Sequence, residues 1–220
     1  MSLTLPLTDQ PTPTPCLLEA RNLCFSFGAQ PLLQGIHWCI PPGLSAITGD
    51  ESSGKTTLLR LLAGELQATA GAVLWGSASA APGGNVGGPP VFWVDPRSDA
   101  WDAMPVRDYL GQARHRHATL NAGLLGELFD ALHLTDHLDK RFAMLSTGSR
   151  RKVFLATAFA SGAAVTLLDM PFAALDGASI RVVHALLAEA AEHPHRAWVV
   201  ADYVPPPDLP LAAHCHLPGP

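Results

Sequence analysis

Eight consecutive residues, Gly49-Asp-Glu-Ser-Ser-Gly54-Lys55-Thr56, match the pattern GxxxxGK[ST] in full. The glycines let the backbone turn until successive N–H groups face inward, which suits phosphate oxygens. Lys55 supplies a charge that bridges β- and γ-phosphates, and the Thr56 hydroxyl a ligand for Mg²⁺. Gly49, Ser52, Ser53, Gly54, Lys55, Thr56 and Thr57 are therefore the candidate cradle for a nucleotide. Asp50 and Glu51 are awkward beside a polyphosphate, so their side chains are expected to point outward. Much later the apolar run Val165-Thr-Leu-Leu168 ends in Asp169. A carboxylate there suits a Mg²⁺ shell, through water or through the Thr56 hydroxyl.

These groups act together only if the chain holds them at one place. The loop follows the apolar run Leu44–Thr48 and opens the segment Lys55–Ala63, whose Leu58, Leu59, Leu61 and Leu62 form a buried side. Strand, glycine loop and helix is the context the motif requires. Leu17–Phe27, with Phe25 and Phe27 at period two, and Leu32–Ile40 read as strands on either side of a Gly28–Pro31 turn. Val91–Val94, Ala164–Leu168 and Ala197–Ala201 read as further strands, Ser149–Ala160 and Ile180–Glu192 as helices, and Pro105–Leu138 as helix-rich. Alternating strands and helices predict an α/β fold with a mainly parallel sheet. Gly76–Pro90, rich in Ala, Gly and Pro, reads as a long surface loop.

Two further blocks add a resemblance. Leu145-Ser-Thr-Gly148-Ser149-Arg-Arg-Lys152 resembles the LSGGQ signature of ATP-binding-cassette (ABC) proteins, and Asp169-Met-Pro-Phe-Ala-Ala-Leu-Asp176 resembles their DEPxxALD block. Both blocks stand at the family's spacing, and the likeness runs from about Leu17 to Val204. It implies a P-loop NTPase (RecA-like) core with an antiparallel β subdomain and an inserted helical subdomain at about 97–147. It also implies Mg²⁺ and ATP as ligands, with ATP sandwiched in a head-to-tail dimer between one P-loop and the partner's signature. Ser146 and the Gly148 N–H would then meet the γ-phosphate held opposite, Asp176 would lie in the D-loop, and Phe27 would stack on adenine. A weaker likeness, in chain length and in the segment Val182–Ala188, points to the haem-exporter ATPases of cytochrome c maturation.

Three positions depart from that family pattern, and all concern hydrolysis. The residue after Asp169, a Glu in the family, is Met170, which neither accepts a proton nor holds a water well. The switch His position falls on Asp202, whose negative charge would repel a γ-phosphate. The Q-loop Gln position falls on Asp95 or Pro96, and spacing leaves both open. Asp95 is a possible Mg²⁺ ligand, and Asp95 or Asp202 a possible relocated carboxylate. Loss of a general base slows such chemistry by roughly 10²–10⁴-fold.

Composition narrows the partners. Of 220 residues, 14 are Lys or Arg and 19 Asp or Glu, 15% charged against a usual ~25%. The net charge of -5 argues against nucleic acid, which calls for a basic face. No segment reads as a membrane span or a signal peptide. Cys16, Cys24, Cys39 and Cys215 show no CxxC pairing, so reduced thiols are expected. His214-Cys215-His216 could clip a metal but lacks a second cluster. The expected organisation is a flexible tail (1–15), one nucleotide-binding domain (16–205) and a C-terminal tail (206–220).

Two functions from different classes follow. One is the ATPase subunit of an ABC transporter, cytoplasmic, paired with a second ABC subunit in a homo- or heterodimer, and held at the inner membrane face by a transmembrane permease. The surface near 95–120, with Trp101, Met104 and Tyr109, would be its docking side, though core packing can claim these residues. The other is a nucleotide-binding interaction protein that does not hydrolyse, or the degenerate half of a heterodimeric cassette.

Overall fold

The computed structural model describes residues 16–76 and 91–219. The tail 1–15 and the low-complexity stretch, apart from Gly76, lie outside the described residues. Two antiparallel strands open the fold, β1 (Leu18–Phe27) and β2 (Gln30–Ile40), and β3 (Gly43–Thr48) leads into α1 (Lys55–Leu62). β4 (Ala70–Trp75) returns to pair antiparallel with β1, giving a three-stranded sheet in the order β2-β1-β4. After β5 (Val91–Phe92) come the helices α2 (Val106–Arg116) and α3 (Ala122–Ala131) and two short 3-10 turns. The signature-like block opens α4 (Thr147–Ala160), followed by β6 (Val165–Asp169), α5 (Gly177–Ala191), β7 (Ala197–Asp202) and β8 (Ala213–His216).

Five of these strands form a wholly parallel sheet in the order β5-β6-β7-β3-β8. Every residue of β3 and β6 is buried, which explains why both read as continuous apolar runs rather than alternating ones. Alternate side chains still separate by face. Ile47, Val165, Leu167, Val199 and Ala201 pack with α1 and the antiparallel sheet, while Leu44, Leu168, Trp198 and Val200 pack with the helices on the other side. On α1, Leu58, Leu59, Leu61 and Leu62 are almost fully buried between the two sheets. At roughly 1.5–3 kcal/mol each, this wedge fixes the helix that carries Lys55 and Thr56.

Two expectations need correction. The C-terminal segment from 206 is not a tail throughout, because β8 adds an edge strand beside β3 in register Ser45↔Ala213 to Thr48↔His216. Two of its four residues are histidines, so no apolar run announced it. The Leu217 N–H donates to the Thr48 carbonyl at 2.7 Å, and Cys215 packs on the core. His214 Nε2 and His216 Nδ1 both meet the Thr48 hydroxyl, at 2.7 and 3.1 Å. Cys16 and Cys39, expected as free thiols, form a disulfide, because the β1–β2 pairing brings their Cα atoms to 5.5 Å. Of the three residues weighed for the docking side, Tyr109 is claimed by core packing, buried in an aromatic cluster with Phe142 and Phe154 in the helical subdomain. Trp101 and Met104 are half-buried against the same core. β4 had no counterpart in the sequence reading.

Candidate functional site

The carboxyl ends of β3, β6 and β7 lie side by side, which is where open α/β sheets bind ligands. β3 delivers the glycine loop. Gly49 has φ +153 and a Cβ there would fall 2.4 Å from the Leu217 carbonyl and 2.6 Å from Ser53 Oγ, so no side chain fits. Gly54 sits in the left-handed region at φ +98 as the N-cap of α1, and no side chain takes up that helix's first N–H groups. The free donors and the helix dipole make this an anion site. Ser52 also has positive φ (62) and is exposed, Ser53 is buried, and Thr57 is half-buried on α1. Asp50 and Glu51 are exposed.

Lys55 is buried, and its Nζ donates to the carbonyls of Gly49 (2.7 Å) and Asp50 (2.6 Å). The ring of Tyr203 lies 4.9 Å from the same ammonium group, a cation–π distance. The Thr56 hydroxyl donates to Asp169 Oδ2 at 2.8 Å, joining the two motifs 113 residues apart. The other carboxylate oxygen, Asp169 Oδ1, is buried with no hydrogen-bond partner. Burial pushes the Asp169 carboxyl up, opposed by the Thr56 hydroxyl and the Arg97 guanidinium. An open hard-oxygen donor beside a threonine hydroxyl is the donor set that Mg²⁺ takes, so the residues fit that ion.

The remaining residues surround this centre. Arg151 on α4 is buried and donates to the carbonyls of Asp169 (2.8 Å) and Met170 (2.7 Å), tying the signature helix to the end of β6. Met170 is half-buried in left-handed backbone (φ 47), its N–H bonded to the Ala201 carbonyl. Asp202 ends β7 opposite Thr48, and its Oδ1 accepts the Tyr203 N–H at 2.7 Å. Asp95 Oδ1 accepts the Arg97 N–H at 2.9 Å, so that oxygen holds a turn; Pro96 lies within it. Arg97 reaches back to Asp169 Oδ2 at 3.4 Å.

Ser146 and Asp176 are helix N-caps. Ser146 Oγ accepts the Ser149 N–H at 3.0 Å, and Asp176 Oδ1 accepts that of Ser179 at 2.8 Å. Lys152 beside Asp176 holds that carboxyl well below the usual carboxylate range. Gly148 packs so closely on the Ala174 carbonyl that a Cβ would lie 2.4 Å from it. Phe27 is exposed at the end of β1, edge-on to Phe25 at 4.9 Å. Lys55, Thr56, Asp169, Met170, Asp202 and Asp95 thus meet around one cleft, whereas Ser146, Gly148 and Asp176 cluster at the N-termini of α4 and α5. Sequence reasoning did not single out Arg97, Arg151 or Tyr203. In so charge-poor a chain, an Arg two residues after Asp95 was the available signal for the first.

A glycine loop opening a helix, a buried Asp bonded to that helix's threonine and a parallel sheet beneath them define a P-loop nucleotide-binding fold. The signature-like helix N-terminus and the attached antiparallel sheet narrow the class. The ABC transporter family model matches residues 33–173, and the chain belongs to that family. It is 32% identical over 181 residues to the cytochrome c biogenesis ATP-binding export protein CcmA of Pseudomonas savastanoi pv. phaseolicola, covering 82% of this chain and 85% of that protein. To the aliphatic sulfonates import ATP-binding protein SsuB of Rhodopseudomonas palustris it is 36% identical over 160 residues, 72% of this chain and 55% of that one. Among solved structures, an ABC transporter ATP-binding protein from Pyrococcus furiosus has the same fold, with TM-score 0.69 and 22% identity over 91% of this chain and 96% of that one.

Proposed function

We propose that this chain is the ATP-binding subunit of an ABC transporter that binds Mg-ATP tightly and hydrolyses it slowly. The observation that carries the reading is the Thr56–Asp169 hydrogen bond beside the buried Lys55, which assembles both halves of a nucleotide site. Amides of 49–57 would hold the phosphates, Lys55 would exchange its loop carbonyls for phosphate oxygens, and Phe27 would stack on the base. Thr56 and Asp169 would hold Mg²⁺, which spreads the charge of the β- and γ-phosphates when bound.

Hydrolysis lacks its base. Met170 stands next to Asp169 where the family places a Glu, and a thioether takes no proton from water. Asp202 adds negative charge on the neighbouring strand end instead of a hydrogen-bond donor. These two residues favour slow turnover, and they equally support the second reading, a degenerate half that needs a competent partner cassette.

Three of the five exposed large hydrophobics among the described residues, Met144, Tyr203 and Val204, stand next to the signature or the end of β7. That placement supports a dimer across this face, with Ser146 and Gly148 of one copy meeting the nucleotide of the other. Among the described residues no helix is long and apolar enough to cross a membrane. A cytoplasmic subunit attached to a separate permease is the arrangement we infer. The match across most of the CcmA length supports export over import.

Calorimetric titration with Mg-ATP tests the reading. One nucleotide should bind per chain, and Lys55→Ala should weaken it at least tenfold, the loss of one charge-assisted contact. Equal affinity in the two proteins would overturn it.

A further inference from the structure

Among the described residues of the cleft, Arg97 is a cation outside the phosphate loop that bonds no backbone carbonyl. Lys55 rests on the loop carbonyls that phosphate oxygens would replace, and Arg151 donates to the carbonyls of Asp169 and Met170. Arg97 is different. Its guanidinium is 63% exposed, yet Nη2 lies 3.4 Å from Asp169 Oδ2, on a carboxylate only 1% exposed. It thus leans on the same oxygen that takes the Thr56 hydroxyl, at the end of the cleft where a γ-phosphate and its metal would lie.

The backbone that carries it is tied by hydrogen bonds, while the guanidinium itself is largely exposed. Asp95 Oδ1 accepts the Arg97 N–H, and the Asp95 carbonyl accepts the Ser98 N–H at 3.1 Å, which closes a turn immediately after β5. The far side of that turn is held by Arg150 of α4, which donates to the Ser98 carbonyl and pairs with Asp102. A long, exposed guanidinium on an anchored turn can swing between two anions at little backbone cost.

The electrostatics decide which anion it prefers. The charged groups facing the cleft are Lys55 from α1, Asp95 and Arg97 from the turn, Arg151 from α4, Asp169 from β6 and Asp202 from β7. Three cations and three anions cancel. With a single carboxylate as partner, Arg97 gains one monodentate contact at 3.4 Å, long for a charge-assisted bond. A terminal phosphate offers oxygens in bidentate geometry and more negative charge, which guanidinium matches better than a point charge does.

We propose that Arg97 is a γ-phosphate contact supplied by the same chain, one that leaves Asp169 when a nucleoside triphosphate enters and so selects triphosphate over diphosphate. The inference rests on the reading of this cleft as an ATP site. Asp169 Oδ2 is released to the metal shell by the same movement, so the arginine holds the carboxylate only while the phosphate is absent.

The test is calorimetric binding of a non-hydrolysable ATP analogue and of ADP, each with Mg²⁺, to the full chain and to Arg97→Ala, Arg97→Lys and Lys55→Ala. A hydrogen bond to a charged group is worth about 1.5–3 kcal/mol, or roughly ten- to a hundredfold in affinity. Arg97→Ala should lose that factor for the triphosphate analogue and less than about threefold for ADP, with Arg97→Lys in between. Because the side chain is largely exposed, the melting temperature should stay within about a degree of the parent. An unchanged ratio of analogue to ADP affinity in Arg97→Ala would overturn the assignment while leaving the site intact, provided that Lys55→Ala still loses both ligands. If the parent chain binds neither nucleotide, the site reading itself falls, and the assignment with it.

Discussion

At the scale of single residues, the cleft shows how environment assigns roles to similar groups. Asp169 and Asp202 end neighbouring strands, yet only Asp169 is sunk against a threonine hydroxyl with an oxygen left over, while Asp202 turns back on the Tyr203 N–H. Arginines divide in the same way: Arg151 is a buried strut for two carbonyls, and Arg97 an exposed arm. Titration follows from the same logic. His117 is half-buried beside Phe92, with ring centroids 5.2 Å apart, and burial followed by the charge of Arg116 pulls its pKa below the ordinary 6.5. As pH falls below about 6.5 the unfolded chain takes up a proton that the folded chain resists, so stability drops in that window. Melting temperatures measured from pH 7.5 to 5 should therefore decline, and more gently in His117→Gln. Lys55, Thr56 and Asp169 were legible as letters in a row. Arg97 was not, because its role comes from reaching over Asp169, a residue 72 positions away.

At the scale of elements, what positions the site is close approach between backbones. The N-terminus of α4 rests on the loop after β6, where Gly148 faces the Ala174 carbonyl and Ala174 itself has φ 61. Gly148→Ala must force that carbonyl away, and overpacking of this kind costs about 1–3 kcal/mol, or roughly 2–12 °C in melting temperature for a chain of this size. Gly126→Ala is the control. It lies exposed in the middle of α3 with nothing within 4 Å of its Cβ, so it should raise stability by up to about 1 kcal/mol. Differential scanning calorimetry of the pair checks both signs. Elements with strong periodicity or long apolar runs, such as α1, β3 and β6, could be read directly. β4 and β8 could not. Ala70–Trp75 has half of its residues exposed and none fully buried, and Ala213–His216 alternates half-buried Ala and Cys with exposed His. Both are edge strands of their sheets and owe their form to a partner rather than to their own residues.

At the scale of the molecule, the parallel sheet delivers Lys55, Asp169 and Asp202 through strand ends or the helix that follows, while Arg151 comes from α4, which precedes β6, and Asp95 and Arg97 from the turn after β5. The helical subdomain hangs between β5 and α4, and the turn carrying Arg97 is its first covalent link to the sheet. The charge scarcity noted in the sequence acquires a location: six of the chain's few charges converge on one cleft and cancel, ready for a polyanion and its metal. Position 170 breaks the pattern, because it is apolar where hydrolysis calls for a carboxylate. The most direct test of an ATP binder slowed by that residue is phosphate release under saturating Mg-ATP, compared between the parent chain, Met170→Glu and Lys55→Ala. Met170→Glu should release phosphate roughly 10²–10⁴ times faster than the parent, which should lie close to Lys55→Ala. A parent chain that turns over as fast as Met170→Glu, with both abolished by Lys55→Ala, would contradict the account.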